Sequence, residues 1–342
     1  SATEKRIVKS VDAHNADALA LLIKLVNINS GTMNFAGVRQ VADVLAKQLD
    51  SLGFKTRWVD GAGFHRAGHL VAERAGPGPK LLLIGHLDTV FEPDNPFQKF
   101  QRIDDSTAKG PGVIDMKGGD VIIVYALRAL RDAKQLDRMN IMIVFDGDEE
   151  ESGTPLEQAR AALVEAAKGA TAALGFEDGA GDPKTAMTSR RGAGSWALKS
   201  TGTPSHSVQI FTPEVGAGAV FESARVLNQF YTQLGHEQYL TFNPGLALGG
   251  TAVSLDSTGT VGNASGKENV VAEQMQVTGD LRTISPEQFQ KAESTMKEIV
   301  SHPLPGTKSE ISFETGYPPM APTAGNARLL AVYDKASRDV GS

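Results

Sequence analysis

The chain has 342 residues, of which 41% are hydrophobic and 22% are charged, and its formal net charge is −6. This composition is typical of a folded globular protein, and the acidic balance argues against a nucleic-acid partner or an anionic membrane surface. Because the chain contains no cysteine, disulfides, thiolate zinc sites and cysteine nucleophiles are excluded. No stretch approaches the roughly 18–20 apolar residues of a membrane helix, so we expect no membrane partner.

Helix-like and strand-like patterns alternate through the first half of the chain. Apolar residues recur at i, i+3 and i+4 over 15–28 and 36–52, which predicts amphipathic helices. Further segments are five short apolar runs that predict strands and two helical patterns: 55–60, 69–73, 80–86, 140–146 and 172–177, then 118–134 and 154–168. Short strands of nearly continuous apolar residues favour a sheet buried on both faces. We therefore predict an α/β fold with a mostly parallel sheet flanked by helices.

The pattern changes after Arg191, where strands and helices follow in the order βαββαβ. The predicted elements are strands 195–201, 246–254, 274–283 and 309–315, with helices 215–234 and 285–301. This order is typical of the ferredoxin-like fold. Glycine- and proline-containing segments flank the block at 192–194 and 316–319. We therefore expect one α/β domain over 1–191, an inserted domain over 192–316 and a return to the first domain over 317–342.

Four polar clusters lie at the ends of predicted strands or open the helix beyond them, where open α/β sheets build their sites. They contain His86 with Asp88, Asp115 between glycines, the acidic run 148–151, and Glu177. Side chains alternate along a strand, so the histidine and the carboxylate two residues later point the same way, as a metal ligand and its orienting partner do. One imidazole with several carboxylates matches a divalent-metal site, and bridging carboxylates allow a pair of metals.

Within the acidic run, Glu149 and Glu150 offer one carboxylate to bind metal and one to accept a proton from water. Each cluster alone also has a structural explanation, such as turn chemistry or a solvated loop. Their coincidence at one edge of the sheet favours the metal site. Motifs of other classes fail: Leu240 stands where an HExxH motif that starts at His236 needs its second histidine, and no GxSxG segment occurs.

Four sequence segments, in this order, resemble the M20 family of co-catalytic zinc peptidases and deacylases: GHLDTV, GPGVIDMKGG, DEEESG and FEDG. Within that family the resemblance is strongest to the glutamate carboxypeptidases. It implies two Zn²⁺ per chain, with Co²⁺ or Mn²⁺ as substitutes. The implied metal ligands are His86 and Glu177 on one ion, Glu150 on the other, and Asp115 as the bridge.

The resemblance also implies roles for neighbouring residues of the first domain. Asp88 would orient the histidine ligand, and Glu149 would act as the general base and acid. The peptide bond between Asp115 and Met116 would be cis.

The inserted segment 192–316 is similar to the family's dimerisation or lid domain, which implies a homodimer through these residues. There His206 would reach across the dimer to stabilise the oxyanion. Arg282 would bind the substrate carboxylate, since a guanidinium suits a planar anion. Asn269 matches a position that contacts substrate. Ordinary loop and strand-end polarity stays open as the alternative for all three residues.

One family feature has no counterpart in the sequence. The family's fifth ligand is a histidine near the C-terminus, whereas no histidine here follows His302. We expect that the sequence belongs to a longer chain, and that a chain lacking this ligand would bind metal weakly. The chain begins at Ser1, so a periplasmic protein with a cleaved signal peptide and a cytoplasmic one both stay open.

The resemblance predicts an amide hydrolase that cleaves before a C-terminal amino acid, with glutamate as one expected residue. Its substrates would be small acidic N-acyl-amino acids or peptides. Two alternatives stay open: an N-acyl-amino-acid deacylase of the acetylornithine or succinyl-diaminopimelate type, and an inactive dimeric protein that binds a small ligand.

Overall fold

The computed structural model describes residues 1–177, 185–256 and 258–340. The chain divides into two compact units, Ser1–Ala186 with Val332–Ser342, and Met187–Ala331. Asp178, in the last of the four motifs, lies outside the described residues.

Six α-helices and seven strands lie wholly within the described residues of the first unit. The helices are α1 (Ala2–Ala13), α2 (Asn15–Val26), α3 (Phe35–Asp50), α4 (Gly118–Asp132), α5 (Leu156–Ala159) and α6 (Ala161–Ala167). The strands are β1 (Lys55–Asp60), β2 (Gly68–Arg74), β3 (Lys80–His86), β4 (Gln101–Arg102), β5 (Ala108–Lys109), β6 (Asn140–Asp146) and β7 (Ala172–Gly175).

Helix α3 shows how the sequence produces these elements. Asn34 caps its first turn by accepting the backbone N–H of Gly37 at 3.2 Å. The buried positions recur at helical spacing and join the main core: Val38, Val41, Ala42, Leu45 and Leu49. Each fully buried leucine stabilises the fold by about 1.5–3 kcal/mol relative to exposure. The predicted amphipathic helix over 36–52 is thereby confirmed.

The central sheet has the strand order β1-β2-β6-β3-β7. Strands β6 and β7 run parallel to β3, whereas β2 is antiparallel to both β1 and β6. The predicted α/β class is confirmed, but the sheet is mixed rather than mostly parallel. Its β3–β6 and β3–β7 pairings are parallel, whereas its β1–β2 and β2–β6 pairings are antiparallel. In register, His86 pairs with Asp146, so β3 and β6 end at the same edge.

The second unit contains the elements β8 (Gly192–Gly202), α7 (Gly218–Leu234), β9 (Thr241–Gly250), β10 (Ala252–Leu255), β11 (Gly262–Ser265), β12 (Gln274–Thr283), α8 (Pro286–Val300) and β13 (Thr307–Thr315). Its antiparallel sheet has the order β13-β8-β12-β9, which is the order of the predicted ferredoxin-like fold. A small β10–β11 hairpin is an addition that the sequence pattern did not predict. The last helix of the chain is α9 (Ala324–Val340).

Two helix starts show what local sequence determines. Ser285 caps α8 by accepting the N–H of Gln288, and Pro286 occupies the first helical turn, where both residue types are favoured. Thr154 is of a residue type that favours a helix cap, but it does not cap the helix predicted over 154–168. Pro155 has an extended backbone with ψ of 141°, so the helix begins only at Leu156. Among the described residues, no helix is both long and apolar enough to cross a membrane.

Candidate functional site

The sheet edge at which β3 ends carries the first predicted cluster. The penultimate residue of β3 is Gly85, where a Cβ atom would lie 2.4 Å from Oδ1 of Asp120 and 2.9 Å from the Phe145 ring. A side chain at this position would have to displace Asp120 or Phe145, both of which are fully buried, so the position favours glycine. The next residue, His86, is buried and faces the ends of the neighbouring elements.

Three predicted metal ligands lie together at this edge. One ligand atom each from His86, Asp115 and Glu150 can be chosen so that all three lie within 4.8 Å of one another. Nε2 of His86 is 3.0 Å from Oδ1 of Asp115, and the peptide bond between Asp115 and Met116 is cis, as the resemblance implied. The arrangement brings one nitrogen and two carboxylate oxygens to a common centre, which is the donor chemistry of a zinc site.

The negative charges in this cluster favour the binding of a cation. Burial would lower the pKa of His86, but its interactions with the carboxylates of Asp115 and Asp88 outweigh burial and raise the pKa to about 11. Burial raises the pKa of Glu150 to about 7, with a further contribution from the negative charge of Asp115. A site that draws protons onto an imidazole and a carboxylate so strongly carries uncompensated negative charge. The residues present therefore fit a divalent metal.

Asp88 connects the histidine to the acidic loop. Its carboxylate is fully buried and lies 3.4 Å from Nδ1 of His86. It accepts the hydroxyl of Thr32 at 2.7 Å and the backbone N–H groups of Glu149 and Glu150 at 3.1 and 3.2 Å. Burial opposes its ionisation, but the His86 contact and these donors lower its pKa. Asp88 therefore fixes both the imidazole and the backbone of the next cluster.

The other two predicted carboxylates of the first unit lie beside this group rather than within it. Burial raises the pKa of Glu149, and the nearby negative charge of Glu177 contributes in the same direction. Glu177 itself is exposed and follows β7, where Phe176 donates its N–H to the carbonyl of Ile84. It is not a member of the group within 4.8 Å.

Lys117 anchors the turn that presents Asp115. Its side chain is fully buried, and Nζ donates to the carbonyl oxygens of Leu25 and Ile28 at the end of α2, at 3.1 and 3.0 Å. Burial lowers its pKa to about 8, against the opposing effect of the Asp120 carboxylate. Lys117 lies within the motif GPGVIDMKGG, but the sequence pattern alone indicates no role for it.

The three predicted residues of the second unit are all exposed. His206 pairs with Val270 in an isolated β-bridge, and its Nδ1 accepts the N–H of Val208 at 3.3 Å. The next residue along donates its N–H to the carbonyl of Asn269, so His206 and Asn269 are neighbours. Arg282 lies on β12, where its Nε donates to the Asp280 carboxylate at 3.2 Å.

Comparison with known proteins shows which family this arrangement belongs to. The sequence profile of peptidase family M20/M25/M40 matches residues 82–342. The chain belongs to peptidase family M20. Carboxypeptidase G2 of Pseudomonas sp. (strain RS-16) is 28% identical over 327 residues, which cover 94% of this chain and 74% of that protein.

Two further relatives of this M20 protein differ in what they cover. Succinyl-diaminopimelate desuccinylase of Acidiphilium cryptum is 34% identical over 139 residues, which cover 40% of this chain and 34% of that enzyme. The crystal structure of aminopeptidase PepT from Bacillus cereus matches with a TM-score of 0.71 and 18% identity, covering 99% of this chain and 82% of that one. The fold is thus shared along the chain, and the protein is a hydrolase of a metal-dependent family.

Sequence reasoning missed several residues that shape the site of this M20 hydrolase. Thr32 lies 56 positions before Asp88, in a loop with no motif of its own. A second buried group, His69 with Asp146 and Asp148, lies under the acidic loop. His69 begins the apolar run 69–73, which predicts a strand but no polar contact. Asp148 belongs to the acidic run 148–151, and nothing in that run distinguishes it as a buried residue.

Proposed function

We propose that this M20 hydrolase binds two Zn²⁺ ions and cleaves the amide bond before a C-terminal amino acid, with glutamate as the expected residue. The observation that carries the proposal is the cluster of His86, Asp115 and Glu150 with Glu149 beside it. The similarity to carboxypeptidase G2 along 94% of the chain supports the carboxypeptidase assignment.

The proposed metal ligands are His86 and Glu177 for one ion, Glu150 for the other, and Asp115 between them. Bound zinc would supply Lewis acidity to the scissile carbonyl and to a nearby water molecule. Asp88 keeps the imidazole of His86 in place, which fixes which ring nitrogen faces the ion.

Glu149 is the proposed general base and acid. Its backbone is held by Asp88. Its raised pKa makes it a better proton acceptor than an ordinary glutamate, because a base is most effective when its pKa approaches the working pH. It takes a proton from the attacking water and returns it to the leaving amine.

The second unit supplies the remaining proposed roles. His206, contributed by the other protomer of a homodimer, stabilises the developing oxyanion. Arg282 binds the substrate carboxylate in a charge-assisted pair, and Asn269 also contacts the substrate.

The test is zinc content together with hydrolysis of N-acyl-glutamate, measured on the wild type and on Glu149→Gln. We expect about two zinc ions per chain in both proteins, and a loss of turnover of about 10²–10⁴-fold in the variant. Glu157→Gln, on the exposed side of α5, is the control and should keep full activity. Undiminished hydrolysis in Glu149→Gln, or a wild type with one zinc ion or none, would contradict the proposal.

A deacylase is the second proposed function, favoured by the segment that is 34% identical to succinyl-diaminopimelate desuccinylase. The same experiment separates the two when N-succinyl-diaminopimelate is offered beside N-acyl-glutamate. Release of succinate with no release of glutamate would favour the deacylase. The presence of Glu149 argues against an inactive ligand-binding protein, since binding alone needs no general base.

A further inference from the structure

The second buried group, His69 with Asp146 and Asp148, has the residue types of a metal site, but its histidine is not available to bind a metal. The Nδ1 atom of His69 accepts the N–H of Gly147 at 3.2 Å. Nε2 lies 2.8 Å from the carbonyl oxygen of Ala159 and therefore donates to it. Because both ring nitrogens are engaged by backbone groups, neither is free to bind a metal.

The cation of this group is already present as Arg160. Its Nη1 donates to Oδ1 of Asp148 at 2.6 Å, and its Nη2 donates to the Asp148 carbonyl at 3.1 Å and to the Ser152 hydroxyl at 2.8 Å. The other carboxylate oxygen, Oδ2, accepts the N–H of Gly153 at 2.7 Å. One guanidinium thus ties together the first and last residues of the loop 148–152.

That loop carries the two central carboxylates of the proposed active site. On one side, the backbone N–H groups of Glu149 and Glu150 are held by Asp88. On the other side, the loop is held by Arg160, which contacts Asp148 and Ser152. Glu149 and Glu150 therefore lie between the two residues that Arg160 holds, and their own N–H groups are held by Asp88. A shift of either glutamate would have to break contacts of Arg160 or of Asp88.

We infer that Arg160 is a positioning residue whose guanidinium fixes the loop 148–152, so that Glu150 stays with His86 and Asp115 and Glu149 stays beside them. The effect on turnover rests on the proposed function, whereas the effect on the loop does not. The pair with Asp148 is nearly excluded from water, since the two side chains are 13% and 0% exposed. A planar fork that makes three hydrogen bonds to described residues of this loop cannot be reproduced by the single ammonium group of lysine.

The substitution Arg160→Lys keeps the charge and removes the fork. We expect the zinc dissociation constant to rise about 10–100-fold, as is usual when the support of a metal ligand is lost. We expect kcat to fall with little change in KM, since Arg160 is not proposed to touch substrate. Amide hydrogen exchange across 148–153 should become faster.

A matched control exists in the second unit. Arg225 pairs with the buried Glu222 at 2.7 Å, and these side chains are 15% and 0% exposed. It also donates to the carbonyl of Ile299, so it too makes a fork of several hydrogen bonds. Arg225→Lys should therefore reduce thermal stability as much as Arg160→Lys does, while leaving zinc affinity and loop exchange unchanged.

The experiment measures zinc affinity by competition with a chromophoric chelator, and loop exchange by mass spectrometry, on the wild type and both variants. Weaker zinc binding and faster exchange in Arg160→Lys alone support the inference. Wild-type values in Arg160→Lys, or equal losses of zinc affinity in both variants, overturn it. If the wild type itself binds no zinc, the proposed function fails, and the exchange measurement still decides whether Arg160 holds the loop.

Discussion

The carboxyl group of Asp146 gives the sharpest test of the electrostatics beneath the site. Asp146 is the last residue of β6 and is almost completely buried. Its Oδ1 finds no hydrogen-bond partner among the described residues. It lies 3.3 Å from Nδ1 of His69, whose lone pair already accepts the N–H of Gly147. Burial therefore raises the pKa of Asp146 to about 6.

The pKa fixes both the size and the direction of the effect on stability. An ordinary aspartate has a pKa of 3.8, so the native state binds this proton more tightly than the unfolded state by about two pKa units. Below about pH 4 the carboxyl is protonated in both states and contributes nothing. Stability is lost as the pH rises from about 4 to about 6, and above that range the ionised group costs about 3 kcal/mol.

The substitution Asp146→Asn keeps the shape and removes the ionisation. We expect the free energy of unfolding to rise by up to about 3 kcal/mol at pH 8 and to stay near the wild-type value at pH 4. Urea unfolding would be followed by the fluorescence of Trp58, which lies in the first unit, with Trp196→Phe in every protein compared. A chelator keeps metal binding from contributing to the free energy.

The exposed Asp12, changed to asparagine, is the control and should leave stability within about 0.5 kcal/mol at both pH values. The reasoning is refuted if Asp146→Asn is less stable than the wild type at pH 8. It is also refuted if the variant keeps the wild-type fall in stability between about pH 4 and pH 6.

Two other substitutions test the core and the support of Asp88. Leu49→Ala should lower the free energy of unfolding by about 2–5 kcal/mol in urea, because this side chain is fully buried in the main core. The partly exposed Leu19, changed to alanine, should cost far less, and equal losses would contradict the assigned core. Thr32→Val removes the hydroxyl that Asp88 accepts and should weaken zinc binding about 10–100-fold by chelator competition, while unchanged affinity would show that the other donors suffice.

Sequence alone predicted the elements whose formation depends on neighbours along the chain. The helical spacing of Val38 to Leu49 marks the buried face of α3, and Ser285 with Pro286 marks the start of α8. The mostly apolar strands predicted an α/β fold because such strands need cover on both faces. The fold class can therefore be predicted from local patterns of hydrophobic periodicity and helix capping.

The four motifs also predicted, through their resemblance to a family, which residues bind the metal ions. The structure brings His86, Asp115 and Glu150 together, and their roles as ligands stay a prediction. The family resemblance supplied the partners of these residues, because no local pattern links positions that are 29 and 64 residues beyond His86 in the chain.

Only the tertiary structure revealed the supports of the site. The hydroxyl of Thr32 donates to Asp88, and the N–H of Gly147 donates to His69. Arg160 donates to both ends of the loop that carries the two glutamates. Each of these contacts depends on strand register and on where a loop returns to the sheet. A periodic pattern tells which face of an element is buried, but it carries no information on which distant residue lies opposite. For that reason the sequence determined the fold class and the suspected ligands, and packing alone decided what holds them in place.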